Sequence, residues 1–187
     1  ASARRSGSRR RMSCCVPEID TPRLRLRGFR GEDHDAHAAF MADEECTRYL
    51  GGPRDADAAW RIMATFAGHW AMRGYGPFAI ENRKTGAYVG YCGPWHPHGW
   101  PEREIMWGIV SSAQHNGYAT EAAGAARRWV YEACGWPGAV SFILPDNEPS
   151  RSVARKLGAK PHDTRTLGSH HVEVWRHPDA PEGDVRT

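Results

Sequence analysis

The chain has 187 residues, 40% of them hydrophobic and 25% charged, with 20 Gly and 13 Pro; this suits one domain with its own core and excludes a disordered chain, a collagen-like repeat and a disulfide miniprotein. No uninterrupted apolar run approaches the ~18 residues of a membrane span, so no membrane partner is expected. The net charge of +3 is uneven, because five of the 25 Lys and Arg fall in residues 1–11 and the other 20 face 22 acids, a balance that argues against a nucleic-acid partner.

Residues 1–16 carry Arg4, Arg5, Arg9, Arg10 and Arg11 with no acid before Met12. They read as a disordered Arg/Ser-rich tail or an expression remnant, with no apolar segment of the kind a secretory signal needs. The domain is expected over 17–178, with a C-terminal tail over 179–187. Residues 23–29 alternate Leu24 and Leu26 with Arg25 and Arg27, the period of a half-buried strand. Acids at Glu32 and Asp33 open a helix over about 32–42. A second helix follows Asp55, with Ala59, Ile62, Met63, Phe66, Ala67 and Trp70 at helical spacing and Gly74 at its end. Trp60, Trp70 and Trp129 read as core.

Residues 77–82 and 87–92, split by Lys84-Thr85-Gly86, read as a hairpin. A Pro/Trp-rich loop with Trp95 and Trp100 then leads to a strand at 104–110. Next come Gln114-His115-Asn116-Gly117-Tyr118-Ala119 and a helix to about Cys134. A short strand over 139–144, a helix from Pro149 to Leu157 capped by Gly158, and strands near 159–166 and 170–176 complete the order. A mixed sheet with helices on its faces, α/β or α+β, is the architecture that order implies.

Five scattered cysteines (Cys14, Cys15, Cys46, Cys92, Cys134) without a CxxC fit a reducing, cytoplasmic setting. The pairs His96/His98 and His170/His171 lack a helical spacing or a carboxylate or Cys partner, so no metal is expected. Gln114 to Ala119 hold more chemistry. A strand that feeds a helix through Gln-x-x-Gly-x-Ala turns several backbone amides toward one point. Gly117 and Ala119 leave room there, and the helix dipole favours an anion of phosphate size. Neither a P-loop nor a Gly-x-Gly-x-x-Gly is present; an ordinary strand–helix turn is the alternative.

With Asn147-x-x-Ser150 and Lys156-Leu157-Gly158-Ala159 following in order, the pattern from about Thr21 to Trp175 resembles the GCN5-related N-acetyltransferase (GNAT) superfamily. Its opening, TPRLRLRGFRGEDHDA, resembles the RimJ/RimL-like branch. The resemblance implies a twisted, mostly antiparallel sheet of about seven strands with about four helices, splayed between its fourth and fifth strands. It implies acetyl-CoA as co-substrate. The pyrophosphate would lie on Gln114, His115, Asn116, Gly117, Tyr118, Ala119 and Thr120, the pantetheine along Trp107, Gly108, Ile109 and Val110, and its arm near Asn147. Asn147 also reads as a helix N-cap.

The implied reaction moves an acetyl group directly to a primary amine, of a small molecule or a polypeptide N-terminus. Because an ammonium has no lone pair, a base must take its proton, and Glu104, acting through water, is the candidate. Glu102, of the same strand parity, is the fallback, and a strand-end ion pair is the alternative role for Glu104. The tyrosine that many family members place seven residues after the Asn is here Ala154; Ser150 matches a serine of the ribosomal-type members as donor to the leaving thiolate, with a second helix-cap hydroxyl as its alternative role. Trp95, Trp100 and Tyr75 are candidates for the acceptor wall, with loop anchoring as the alternative for the tryptophans. Many relatives pair through edge strands, which makes a homodimer one expectation. A non-catalytic acyl-CoA-binding module is the competing reading, kept open by Ala154.

Overall fold

A computed structural model describes residues 16–181; of the tail read over 1–16, residues 1–15, with Cys14 and Cys15, lie outside the described residues, as does the end of the 179–187 tail. One sheet of eight strands runs in the order β1-β2-β3-β4-β5-β6-β8-β7. Its strands are β1 (Ile19–Asp20), β2 (Leu24–Arg27), β3 (Phe78–Asn82), β4 (Tyr88–Trp95), β5 (Glu104–Ile109), β6 (Val140–Ile143), β7 (Lys160–Leu167) and β8 (His170–Arg176). The helices are α1 (His34–Ala42), α2 (Glu44–Thr47), α3 (Ala56–Arg73), α4 (Tyr118–Cys134) and α5 (Glu148–Lys156). The mixed architecture is as the order of elements implied. The additional strand is β1, too short at two residues to leave a periodic signal, and the additional helix is the single turn α2.

Local chemistry explains the boundaries. The Asp55 side chain caps α3 by accepting from the Ala58 amide, and Gly74, in the left-handed region, closes it. Ala59, Met63, Phe66 and Trp70 form its buried stripe, whereas Trp60 is 57% exposed. The expected core role for Trp60 is therefore corrected: it stands about 100° around the helix from Ala59. The strand over 87–92 extends to Trp95, which pairs with Glu104 and so belongs to the sheet instead of the loop.

Cross-strand pairing sorts side chains between two faces. Tyr91, Trp95, Glu104 and Met106 share one face, where Tyr91 packs with Phe40 of α1 and Phe66 of α3. Cys92, Ile105, Trp107 and Ile109 share the other, against the alanines of α4. Gly108 is what lets the Tyr91 ring cross β5, since a Cβ there would come within 2.8 Å of the ring. At the sheet's edge, Arg27 departs from the simple alternation. It is buried, donating from Nη1 and Nη2 to both Asp33 oxygens at 2.8 Å and from Nε to Glu81 at 2.7 Å.

Candidate functional site

The parallel strands β5 and β6 pair only at Glu104 and Val140 and then part. This is the splay expected between the family's fourth and fifth strands; the short β1 shifts their count here by one. The parting leaves a slot of about 320 Å³ walled by Trp107 and Met106 of β5, Phe142 and Ile143 of β6, and Asn147 and Ser150 of the following segment. A directional polar chain pins the closed end. Arg127 Nη1 donates to His177 Nδ1 at 3.0 Å and to the Leu157 carbonyl at 2.7 Å. His177 Nε2 lies 3.0 Å from Ser141 Oγ, which donates to the Ile105 carbonyl at 2.6 Å. Because the guanidinium can only donate, Nδ1 must accept, and Nε2 carries the proton toward Ser141. Burial, and then the Arg127 charge, press His177 down to about 3, so the ring stays neutral.

Glu104 sits beside this junction and is 7% exposed. One carboxylate oxygen accepts from the Phe142 amide at 3.3 Å and the other from the Trp100 indole at 2.9 Å. Burial raises its pKa to about 7, with these two neutral donors opposing. The strand-end ion pair belongs instead to Glu102, held by Arg165 at 2.8 Å and Arg176 at 3.4 Å. Trp95, directly across from Glu104, stacks on His69 with ring centres 4.9 Å apart. His69 in turn donates from Nδ1 to the Tyr75 carbonyl at 2.7 Å and accepts the His96 amide at 3.3 Å. Trp95 and Trp100 both line the slot. Tyr75 does not: its ring packs on His69 and Trp136, between two core clusters.

At the other end of β5, ladder parity sets where the backbone points. The Val110 amide donates back to Val89 of β4, so Ile105, Trp107 and Ile109 aim their N–H and C=O groups toward β6. Ser141 takes the Ile105 carbonyl, and Gln114 Nε2 takes that of Ile109 at 3.2 Å. Trp107, between them, faces the slot with no strand opposite.

The turn from Gln114 into α4 is drawn inward by its carbonyls. Asn116 Nδ2 donates to the Ala113 and Gln114 carbonyls, and Arg23 Nη1 to that of Asn116 at 2.8 Å. His115 is the one non-glycine with positive φ, 61°, among the described residues, and Gly117 caps the helix at φ 77°. The amides of His115, Asn116, Gly117, Tyr118, Ala119 and Thr120 meet no acceptor among the described residues, the first intrahelical bond at this end being Glu121 to Gly117. Arg23, tied to Glu121 at 2.7 Å, adds a cation that the sequence pattern did not signal, since its partners lie 93 and 98 residues away.

Asn147 is the α5 N-cap, accepting from the Ser150 amide at 3.1 Å. Ala154 is fully buried among Ile143, Ala159 and Trp175. Tyr49 and Leu50 were not anticipated as slot residues. Tyr49 reaches across to donate to the Asp146 carbonyl at 3.1 Å, a contact between loops that no local pattern encodes.

Residues 23–160 match the family model described as an acetyltransferase (GNAT) domain. The chain is 28% identical over 146 residues to "Uncharacterized N-acetyltransferase YoaA" of Bacillus subtilis (strain 168), covering 76% of this chain and 82% of that protein. An acetyltransferase structure from Agrobacterium tumefaciens str. C58 superposes with a TM-score of 0.80 at 30% identity, covering 87% of this chain and 95% of that one. RimL, the ribosomal L7/L12 alpha-N-protein acetyltransferase, shares the fold with a TM-score of 0.72 at 16% identity, over 87% of this chain and 94% of that chain. The chain belongs to the GNAT family of acetyltransferases, enzymes that use acetyl-CoA and act on amines.

Proposed function

We propose that this protein moves the acetyl group of acetyl-CoA directly to a primary amine of a small molecule or a polypeptide N-terminus, with Glu104 as the base acting through water. The observation that carries the reading is Glu104 itself: a buried carboxylate with two neutral donors and a pKa near 7, at the closed end of the slot. A base works best when its pKa lies near the operating pH, because it is then both ionised and basic.

The rest of the site fits the co-substrate by chemistry. The outward amides of residues 115–120, the α4 dipole and Arg23 suit a pyrophosphate. The free polar edge at Trp107 suits the amide groups of pantetheine, with Gly108, Ile109 and Val110 continuing that strand and Asn147 at the arm. The co-substrate supplies a thioester whose carbonyl carbon accepts the amine. Glu104 receives the amine proton as the C–N bond forms. The C–S bond breaks, and Ser150, a residue of the slot wall, donates a hydrogen bond to the departing sulfur. Trp95 and Trp100 wall the acceptor side, and Tyr75 supports that wall from behind by fixing His69. A neutral α-amine, with a reference pKa of ~7.7–8.0, matches a base of this strength better than a lysine at ~10.4.

A second reading, an acyl-CoA-binding module without turnover, is favoured by one observation: Ala154, in the position where many family members have a tyrosine, is sealed in the core. Calorimetric titration of the full chain with acetyl-CoA, with NAD and ATP as controls, tests the site. Thiol release with a panel of amines then separates the readings. Selective binding with thiol release that Glu104→Gln suppresses supports the transferase; selective binding without release by any amine supports the module. Loss of selectivity for acetyl-CoA in a folded sample would overturn both.

A further inference from the structure

A second cavity, of about 370 Å³, opens on the α1/α3 side of the sheet. Met41, Ala58 and Ile62 give it apolar walls, and Leu50 and Tyr91 are shared with the slot. Tyr91 lies on the same sheet face as Trp95 and Glu104, by the β4–β5 pairing. A molecule resting in this cavity therefore reaches the proposed base by passing Tyr91 and Leu50, without crossing the sheet.

The charged lining of the cavity is of one sign. Arg54 and Arg61 both contribute to it, and no carboxylate does. Arg54 donates from Nη2 to the Leu50 carbonyl at 3.2 Å, which folds it onto the turn beside the shared wall. Asp55, next in sequence, is engaged as the α3 cap. Two guanidinium groups beside apolar walls suit a carboxylate carried on an apolar body, because the planar fork matches carboxylate geometry. The same pair disfavours a polycation by like-charge repulsion.

We infer that the acceptor is an anionic amine: its primary amine enters the slot at Glu104, its apolar segment lies over Tyr91 and Ile62, and its carboxylate is held by Arg54 and Arg61. This rests on the transferase reading above and adds the class of acceptor to it. A free amino carboxylate and a peptide with an early acidic side chain share that chemistry.

The experiment follows thiol release at saturating acetyl-CoA with acceptors matched except for charge. One arm compares 6-aminohexanoate with its amide; the other compares the amidated peptides Ala-Phe-Glu and Ala-Phe-Gln. The acidic member is expected to win by about tenfold or more in kcat/KM, the scale of a charge-assisted contact, and the arm showing the preference identifies the source. Arg61→Ala and Arg54→Ala should shrink that preference while leaving the KM for acetyl-CoA unchanged. Arg61→Glu should shift it toward amidated Ala-Phe-Lys. Equal rates for acidic and neutral members in both arms, or a preference that survives both alanine variants, overturns the inference. So does acetyl-CoA binding without turnover of any anionic amine. A protein that fails to bind acetyl-CoA fails at the earlier step, and the transferase reading falls together with this one.

Discussion

Two buried carboxylate centres on the same sheet meet opposite fates. At the β2 edge, burial would raise Asp33, but hydrogen bonds from Arg27 and from the Arg30 amide outweigh it and hold the carboxyl below its usual range. At the β5–β6 junction, Glu104 has an indole and an amide but no cation, and burial prevails. Burial alone therefore does not mark a reactive group. A buried acid with a guanidinium across both oxygens serves stability; one left with neutral donors keeps a proton it can exchange near neutrality.

The largest separation between the two centres should appear in turnover. Glu104→Gln keeps the shape and the Trp100 contact, and is expected to lower kcat by about 10²–10⁴-fold with acetyl-CoA binding intact by calorimetry. Wild-type kcat should climb with pH until about 7 and then level as Glu104 ionises. A variant as active as the parent removes Glu104 from the chemistry. The converse change, Arg27→Met, leaves the buried Asp33 without its guanidinium and should cost about 3–5 kcal/mol in urea unfolding. Its kcat, measured where it is still folded, should match the parent.

Stability against pH divides the pair next. Below about 4.5 the Glu104 carboxyl is protonated both folded and unfolded. Between that value and about 7 the unfolded chain ionises while the native one holds its proton, so this group makes stability fall as pH rises across the window. The total is about 3 kcal/mol at ~1.4 kcal/mol per pKa unit. Asp33 acts in the opposite sense: its contribution is complete above the unfolded carboxyl pKa and is lost as pH falls through its lowered native value. Urea midpoints from pH 4 to 8 should therefore differ in shape between the parent and Glu104→Gln, which loses only the first dependence. Parallel curves would mean that Glu104 is ionised throughout the window.

How much of this the sequence disclosed follows from the range of each interaction. The α3 boundaries were legible because Asp55 and Gly74 act on amides and carbonyls within four residues of themselves, and the α4 turn because its Gln-x-x-Gly-x-Ala spacing is local. Arg27 was not legible: alternation groups it with Arg25, and the contact with Glu81 that buries it spans 54 residues. Glu104 could be nominated from its place at the start of a strand, but the pKa it reaches is set by burial at the β5–β6 junction and by the opposing donors Trp100 and Phe142, the latter 38 residues on. The Tyr49 strap and the Arg54/Arg61 cavity depend on how separate segments pack over the sheet, for which the chain carries no short-range signal.

The smallest effect concerns the junction that sets Glu104 in place. Ser141→Ala removes the hydroxyl joining His177 to the Ile105 carbonyl and leaves two buried polar groups unpaired, at a cost of about 1–3 kcal/mol. The loss overlaps that of Arg27→Met in kind, but Ser141 adjoins the single β5–β6 pair whose β5 member is Glu104. A shift there should move the carboxylate relative to the slot and lower kcat by about tenfold or less, where Arg27→Met leaves it unchanged. Ser141→Thr, which restores a hydroxyl, should recover part of that loss. If Ser141→Ala and Arg27→Met lose stability alike and neither alters kcat, the Arg127–His177–Ser141 chain is structural in the same sense as the Arg27 cluster, and Glu104 holds its position by its own two hydrogen bonds.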